Sequence, residues 1–166
     1  MDEPTAEQEA TMTGGAAAGS AAACALVVGH DRGPAGAAAL GVAVDLGRRL
    51  HAHLHVVHGI TLLDYPVDPD AADWEQAAVR VLDEQHDRVE AALAGYAGRW
   101  TYHTGRGDPV AAIDGVADEH DALMIIVGSH GEGPGAVIDR LIGGSVSRGL
   151  LRRRHRPVLV VPARTP

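Results

Sequence analysis

The chain has 166 residues, 46% of them apolar, 22% charged and only 3% aromatic, with 14 basic against 22 acidic side chains for a formal charge of −8. Such values fit one globular domain with a single core and exclude a disordered chain. The acidic surplus excludes a general nucleic-acid surface, which needs a basic footprint.

Residues 1–22 are acidic and then rich in Gly, Ala and Ser, without apolar periodicity. They are expected to form a disordered tail ahead of one domain over residues 23–164. Asp2, Glu3, Glu7 and Glu9 stand where a secretory leader would be basic. No apolar run reaches the ~20 residues of a membrane span. Cys24 is the single cysteine, so no intramolecular disulfide is possible. A cytoplasmic protein without a membrane partner is expected.

From residue 25 the hydrophobic period switches regularly. Ala25 to Gly29 is a short apolar run ending in glycine, as a buried parallel strand should be. Leu40, Ala43, Leu46 and Leu50 recur at helical spacing. Leu54 to Val57 is the second strand, and residues 64–73, with Pro66 and Pro69, form a loop. Trp74 through Tyr96 marks a long amphipathic helix, and Trp100 to Thr104 the third strand. Val110, Ile113 and Val116 face one side of a helix that Pro109 opens. Leu123 to Val127 is the fourth strand. A glycine-rich loop from Gly128 to Gly144 leads into a helix through Arg154, and Pro157 to Val161 closes the chain. Alternating strands and helices predict an α/β doubly wound five-stranded parallel sheet with helices on both faces. Phe is absent, so the core is built from Ala, Val, Leu and Ile, which let helices lie close to a sheet.

In such a sheet ligands bind beyond the carboxyl ends of the strands, where the winding reverses. Gly29-His-Asp-Arg-Gly-Pro34 follows the first strand, and Gly128-Ser-His-Gly131 follows the fourth, leading to Gly143-Gly-Ser145. Glycine amides can close on an anion, and Ser145 opens a helix whose N-terminal dipole favours phosphate. Ser145 and Ser147 add hydroxyl donors. Asp31 would repel phosphate and suits a sugar, an exocyclic amine or a metal. A plainer reading stands beside this one: Gly128 and Gly131 as turn glycines, Ser145 as a helix cap, His130 as a solvated loop residue.

His51, His53, His55 and His58 invite a metal, because imidazoles at i and i+2 on a strand can chelate. His51 belongs to the helix end, however, and a satisfied polar strand edge is the expectation, with no residue assigned as a metal ligand. Arg152-Arg-Arg-His-Arg156 is read as a cationic last turn complementing the helix dipole, not as a nucleic-acid patch.

Ile125-Ile-Val-Gly-Ser-His-Gly131, Leu141-Ile-Gly-Gly-Ser-Val-Ser147 and Arg156-Pro-Val-Leu-Val-Val-Pro162 resemble the C-terminal signature of universal stress proteins. Gly107-Asp-Pro109, Val27-Val-Gly-His-Asp31 and Leu54-His-Val-Val57 are similar to that family too. The likeness spans residues 24–162. It implies strand order 3-2-1-4-5, an adenine nucleotide α-hydrolase-like fold, and a homodimer through the last strand, Val158–Val161. It also implies ATP, with Mg²⁺ or Mn²⁺, held by a motif of the form G-x2-G-x9-G-S/T. Gly128 and Gly131 match its first glycines and Gly144-Ser145 its closing pair, with Val146 and Ser147 beside them. Asp31 matches the acid near adenosine, and Val56 the strand position whose backbone lines adenine. Ser129 and His130 fall within the loop. Two departures stand out. The spacer from Glu132 to Gly143 has twelve residues, including the acids Glu132 and Asp139, and Gly33 replaces a hydroxyl residue.

Two functions follow as expectations, and a third, an enzyme of the wider adenine-nucleotide α-hydrolase-like fold, is set aside. One is an ATP-binding regulatory or stress-response module; the alternative is a family member without nucleotide that acts through protein interactions. Catalysis is not expected beyond slow ATP hydrolysis, since the chain has no lysine and no Gly-x-x-x-x-Gly-Lys-Ser/Thr loop.

Overall fold

In the computed structural model, residues 10–14, 24–60, 74–129, 146–153 and 156–163 are described. In chain order these are β1 (Ala10–Gly14), β2 (Ala25–His30), α1 (Pro34–Leu50), β3 (His53–Ile60), α2 (Trp74–Leu93), β4 (Trp100–Arg106), α3 (Pro109–Glu119), β5 (Met124–Ser129), α4 (Val146–Arg153) and β6 (Val158–Pro162). The sheet runs β1-β4-β3-β2-β5-β6. The last five strands in that row are parallel, and they are the 3-2-1-4-5 order that the family resemblance implies. The loop expected at residues 64–73 and most of the glycine-rich loop lie outside the described residues.

β1 is a correction. Residues 10–14 were expected within a disordered tail, yet Ala10–Gly14 pairs antiparallel with β4, Met12 opposite Tyr102. The pairing covers the outer edge of β4, whose inner edge is satisfied by β3. The rest of residues 1–22 lies outside the described set.

Alternation along each buried strand divides the core into two layers. Leu26, Val28, Leu54, Val56 and Tyr102 face α1 and α2 and pack against Ala39, Leu40, Ala43, Val89 and Leu93. Val27, Val57, Ile125 and Val127 face the other way, onto Ile113, Val116 and Leu150 of α3 and α4. The buried positions of α1 include Ala35, Gly36, Ala39, Ala43 and Gly47, so this helix approaches the sheet closely. Tyr96 closes the first layer, its buried hydroxyl donating to the Ala52 carbonyl.

Helix ends follow local chemistry. Pro34 opens α1 and Pro109 opens α3, each at the position where a missing N–H costs nothing. Asp108 caps α3 by accepting the Val110 N–H at 3.0 Å. His51 ends α1 in the left-handed region, φ 51°.

Candidate functional site

β2 ends at His30, and the chain turns through Asp31–Gly33 into α1. The Asp31 carboxylate accepts the Gly33 N–H at 2.9 Å, an Asx-type turn. Gly33, at the helix cap, has no side chain to offer, so Asp31 supplies the negative group beside the N-terminal dipole. From this turn a cleft of about 410 Å³ opens between α1 and α2, lined by residues that include His30, Asp31, Pro34, Leu40, Gln85 and Arg88. A volume of that size is ordinary for a small-molecule site. Gln85 is buried, and its Oε1 has no hydrogen-bond partner among the described residues. Burial pushes the His30 imidazole below its usual 6.5; neighbouring His58 and Arg88 act in the same sense, against the opposing pull of Asp31 and a backbone contact at Gly36.

The expected nucleotide residues divide into four groups. Asp31 lines the cleft. Val56 does not: it is fully buried in mid-strand, paired between Val28 and Tyr102. Gly128 and Ser129 end β5 opposite Val161 and Pro162, and Val146 and Ser147 form the first turn of α4, half-buried. His130, Gly131, Gly144 and Ser145 lie outside the described residues.

Gly128 has a packing reason of its own. A Cβ there would stand 2.5 Å from the Ala35 backbone carbonyl, so only glycine lets the start of α1 cross the end of β5. The basic run that ends α4 and follows it also has partners beyond the dipole. Half-exposed Arg153 donates to the buried Asp114 carboxylate on α3 at 2.9 Å. Arg156 reaches Asp118, Asp121 and the Ala122 carbonyl.

A family model described as the universal stress protein family matches residues 25–162. The chain belongs to the universal stress protein family. Two universal stress proteins of Mycobacterium tuberculosis strains are each 32% identical over 144 residues, 82% of this chain and 46% of the relative. The chain thus spans about half the length of those curated relatives. Among solved structures, a universal stress protein in complex with cAMP is 27% identical, with a TM-score of 0.58 over 87% of this chain and 100% of its own. A universal stress protein from Archaeoglobus fulgidus in complex with dAMP shares the fold at 20% identity and a TM-score of 0.60, over 84% of this chain and 98% of its own. Among the described residues no helix is long and apolar enough to cross a membrane.

This universal stress protein also gathers histidines at the opposite ends of its strands. His51 caps α1 at that end, whereas His58 stays at the cleft end beside His30 and faces the α1–α2 layer, its Nδ1 3.2 Å from the His30 carbonyl oxygen. His53 and His55 face α3, and there β4 and the end of α3 bring His103 and His120 to them. His55 Nδ1 lies 3.1 Å from His103 Nε2. The His55 and His120 rings stack at 3.9 Å, and His53 stacks on His55 at 4.1 Å while its Nε2 meets the Thr101 hydroxyl at 2.9 Å. Burial, reinforced by Arg99 for His53 and by His53 itself for His55, holds these imidazoles down to about 4 and about 3. His103 is lowered for the same first reason. Sequence reasoning considered His53 and His55 but missed His103 and His120. Their signal was available only in part: His103 alternates with Thr101 on a strand expected beside β3, whereas His120 follows a helix.

Proposed function

We propose that this chain is an adenine-nucleotide-binding regulatory module, with ATP in the cleft beyond β2. The observation that carries the reading is the position of that cleft: it opens where β2 turns into α1, with Asp31 and Gln85 at its wall, the buried Gln85 Oε1 having no partner among the described residues. A nucleobase amine is a donor of the kind such an acceptor needs, and Asp31 suits a ribose hydroxyl. Gly128, Ser129, Val146 and Ser147 stand at the end of β5 and the start of α4, the side where phosphates would lie; His130, Gly131, Gly144 and Ser145, which lie outside the described residues, are proposed as phosphate ligands on the family motif alone. Val56 would serve only through the fold of β3. The cAMP-bound and dAMP-bound relatives support an adenine nucleotide. Four phosphate charges near acids of the loop would call for Mg²⁺ or Mn²⁺.

The unit of function is a homodimer through β6. Among the described residues that strand is paired by β5 alone, and Leu159 on it is exposed, an edge of the kind proteins cover. Turnover is not part of the reading, and a cytoplasmic setting fits a chain with one cysteine.

Isothermal titration of ATP into nucleotide-free protein, with and without Mg²⁺ or Mn²⁺, tests it. Saturable binding at ~10⁻⁵ M or tighter, about −7 kcal/mol, supports the module. Absence of binding in this and an orthogonal assay favours the alternative, a protein-interaction member without nucleotide.

A further inference from the structure

We propose that His55, His103 and His120 form a binding site for a divalent transition-metal ion of the zinc type, separate from the nucleotide cleft. Each residue offers one imidazole nitrogen, and the three nitrogens lie within 4.8 Å of one another. Zinc bound to imidazole at roughly 2.0–2.1 Å in a tetrahedron sets its ligand atoms about 3.3 Å apart. The His55–His103 pair, at 3.1 Å, already has that spacing. His120 has at most about 1.5 Å to close, and its ring, stacked on His55 at 3.9 Å, must turn to aim a nitrogen lone pair at the ion, a side-chain rotation that a half-exposed helix end allows.

Three separate elements supply the ligands: His55 from β3, His103 from β4 and His120 from the C-terminal cap of α3. β3 and β4 are adjacent, and both residues face α3, so the sheet presents two ligands as a rigid pair. The surroundings fit an ion as well. His53 stacks on His55 and is itself held by Thr101, which fixes the ring beside the first ligand. Glu119 brings a carboxylate 4.0 Å from His120 Nε2, an anion that offsets the metal's charge. Arg99 acts against it, being close enough to lower His53 and His55. All-nitrogen donors select zinc, copper or nickel over magnesium or calcium, which prefer oxygen. Water completes the coordination, since His103 and His120 are only half-buried.

The alternative is a hydrogen-bonded histidine pair with a stacked neighbour. It leaves unexplained why imidazoles, and not the valine and isoleucine used one step along the same face at Val57 and Ile113, occupy this end of the layer. The second His/acid group, His86, Asp87 and Glu90 on α2, has two exposed members and provides a control.

The test is Zn²⁺ competition against a chromophoric chelator, using the full chain without an affinity tag, stripped of metal, in the absence of nucleotide. One Zn²⁺ per chain is expected, with a rise in thermal midpoint. His120→Ala and His103→Ala should each weaken binding by more than ~100-fold, beyond the loss of an outer-shell partner. His86→Ala and His51→Ala should leave it unchanged. His120 lies outside the sheet, so its variant keeps the fold, which circular dichroism checks; the visible spectrum of Co²⁺-loaded protein then reports nitrogen coordination that His120→Ala abolishes. No stoichiometric Zn²⁺, or affinity unaltered in His120→Ala, overturns the site.

Discussion

Arg153, in the last turn of α4, donates a 2.9 Å hydrogen bond to Asp114, a carboxylate buried on α3. This contact fixes the helix that receives the glycine-rich loop against the helix that covers β3. Arg153→Ala leaves the Asp114 carboxylate without this partner. Because the arginine is itself 44% exposed, the expected loss is about 1–2 kcal/mol, below that of a fully buried pair. Urea unfolding of the variant against the parent measures it, and a change under a few tenths of a kcal/mol would contradict the anchoring role.

Gly128→Ala should destabilise the protein even with no nucleotide present. Its Cβ would meet the Ala35 backbone at 2.5 Å, and neither β5 nor the first turn of α1 can move away cheaply. A loss of about 1–3 kcal/mol is expected, typical of overpacking, read from a denaturant midpoint at unchanged slope.

Stability should fall as pH drops below about 6.5, and His30 should account for part of the fall. In the folded chain burial lowers its pKa, with His58 and Arg88 adding to the effect and Asp31 and the Gly36 backbone opposing it. The unfolded chain therefore takes up a proton near pH 6.5 that the folded chain refuses. Stability is full above 6.5 and is lost as pH falls toward the lowered folded value, by up to about 1.4 kcal/mol per pH unit for one group. His30→Gln should flatten this slope in thermal melts between pH 7.5 and 5. An identical slope would show that His30 is not held neutral.

Leu159→Glu places a charge on the open edge of β6. Light scattering should find a dimer for the parent and a monomer for the variant; a monomeric parent refutes the dimer outright.

Much of the fold was legible because several parallel strands are compact apolar runs, as at Ala25–Gly29 and Met124–Gly128, and the helices repeat at 3.6 residues. β1 was not legible: Ala-Thr-Met-Thr-Gly has no apolar run, and its pairing depends on the exposed edge of β4. Asp31 was placed at the cleft by strand-end logic alone. Gln85, in contrast, looked like one more residue of the inner helical face, and its role as an unpaired acceptor needed the neighbouring α1. Gly128 was read for phosphate, while its contact with Ala35 arises from a helix that begins ninety-odd residues earlier. The histidine cluster failed for the same reason, since His55 and His103 are separated by 48 positions.

The most direct measurement for nucleotide binding in this cleft is photolabelling with 8-azido-ATP, followed by mapping of the modified peptides. Label on the segment from His30 to Val44 or from Gln85 to Ala92, competed away by unlabelled ATP, is the predicted result. Competable label confined to other segments, or none at saturating probe, would contradict the cleft as the adenine-nucleotide site.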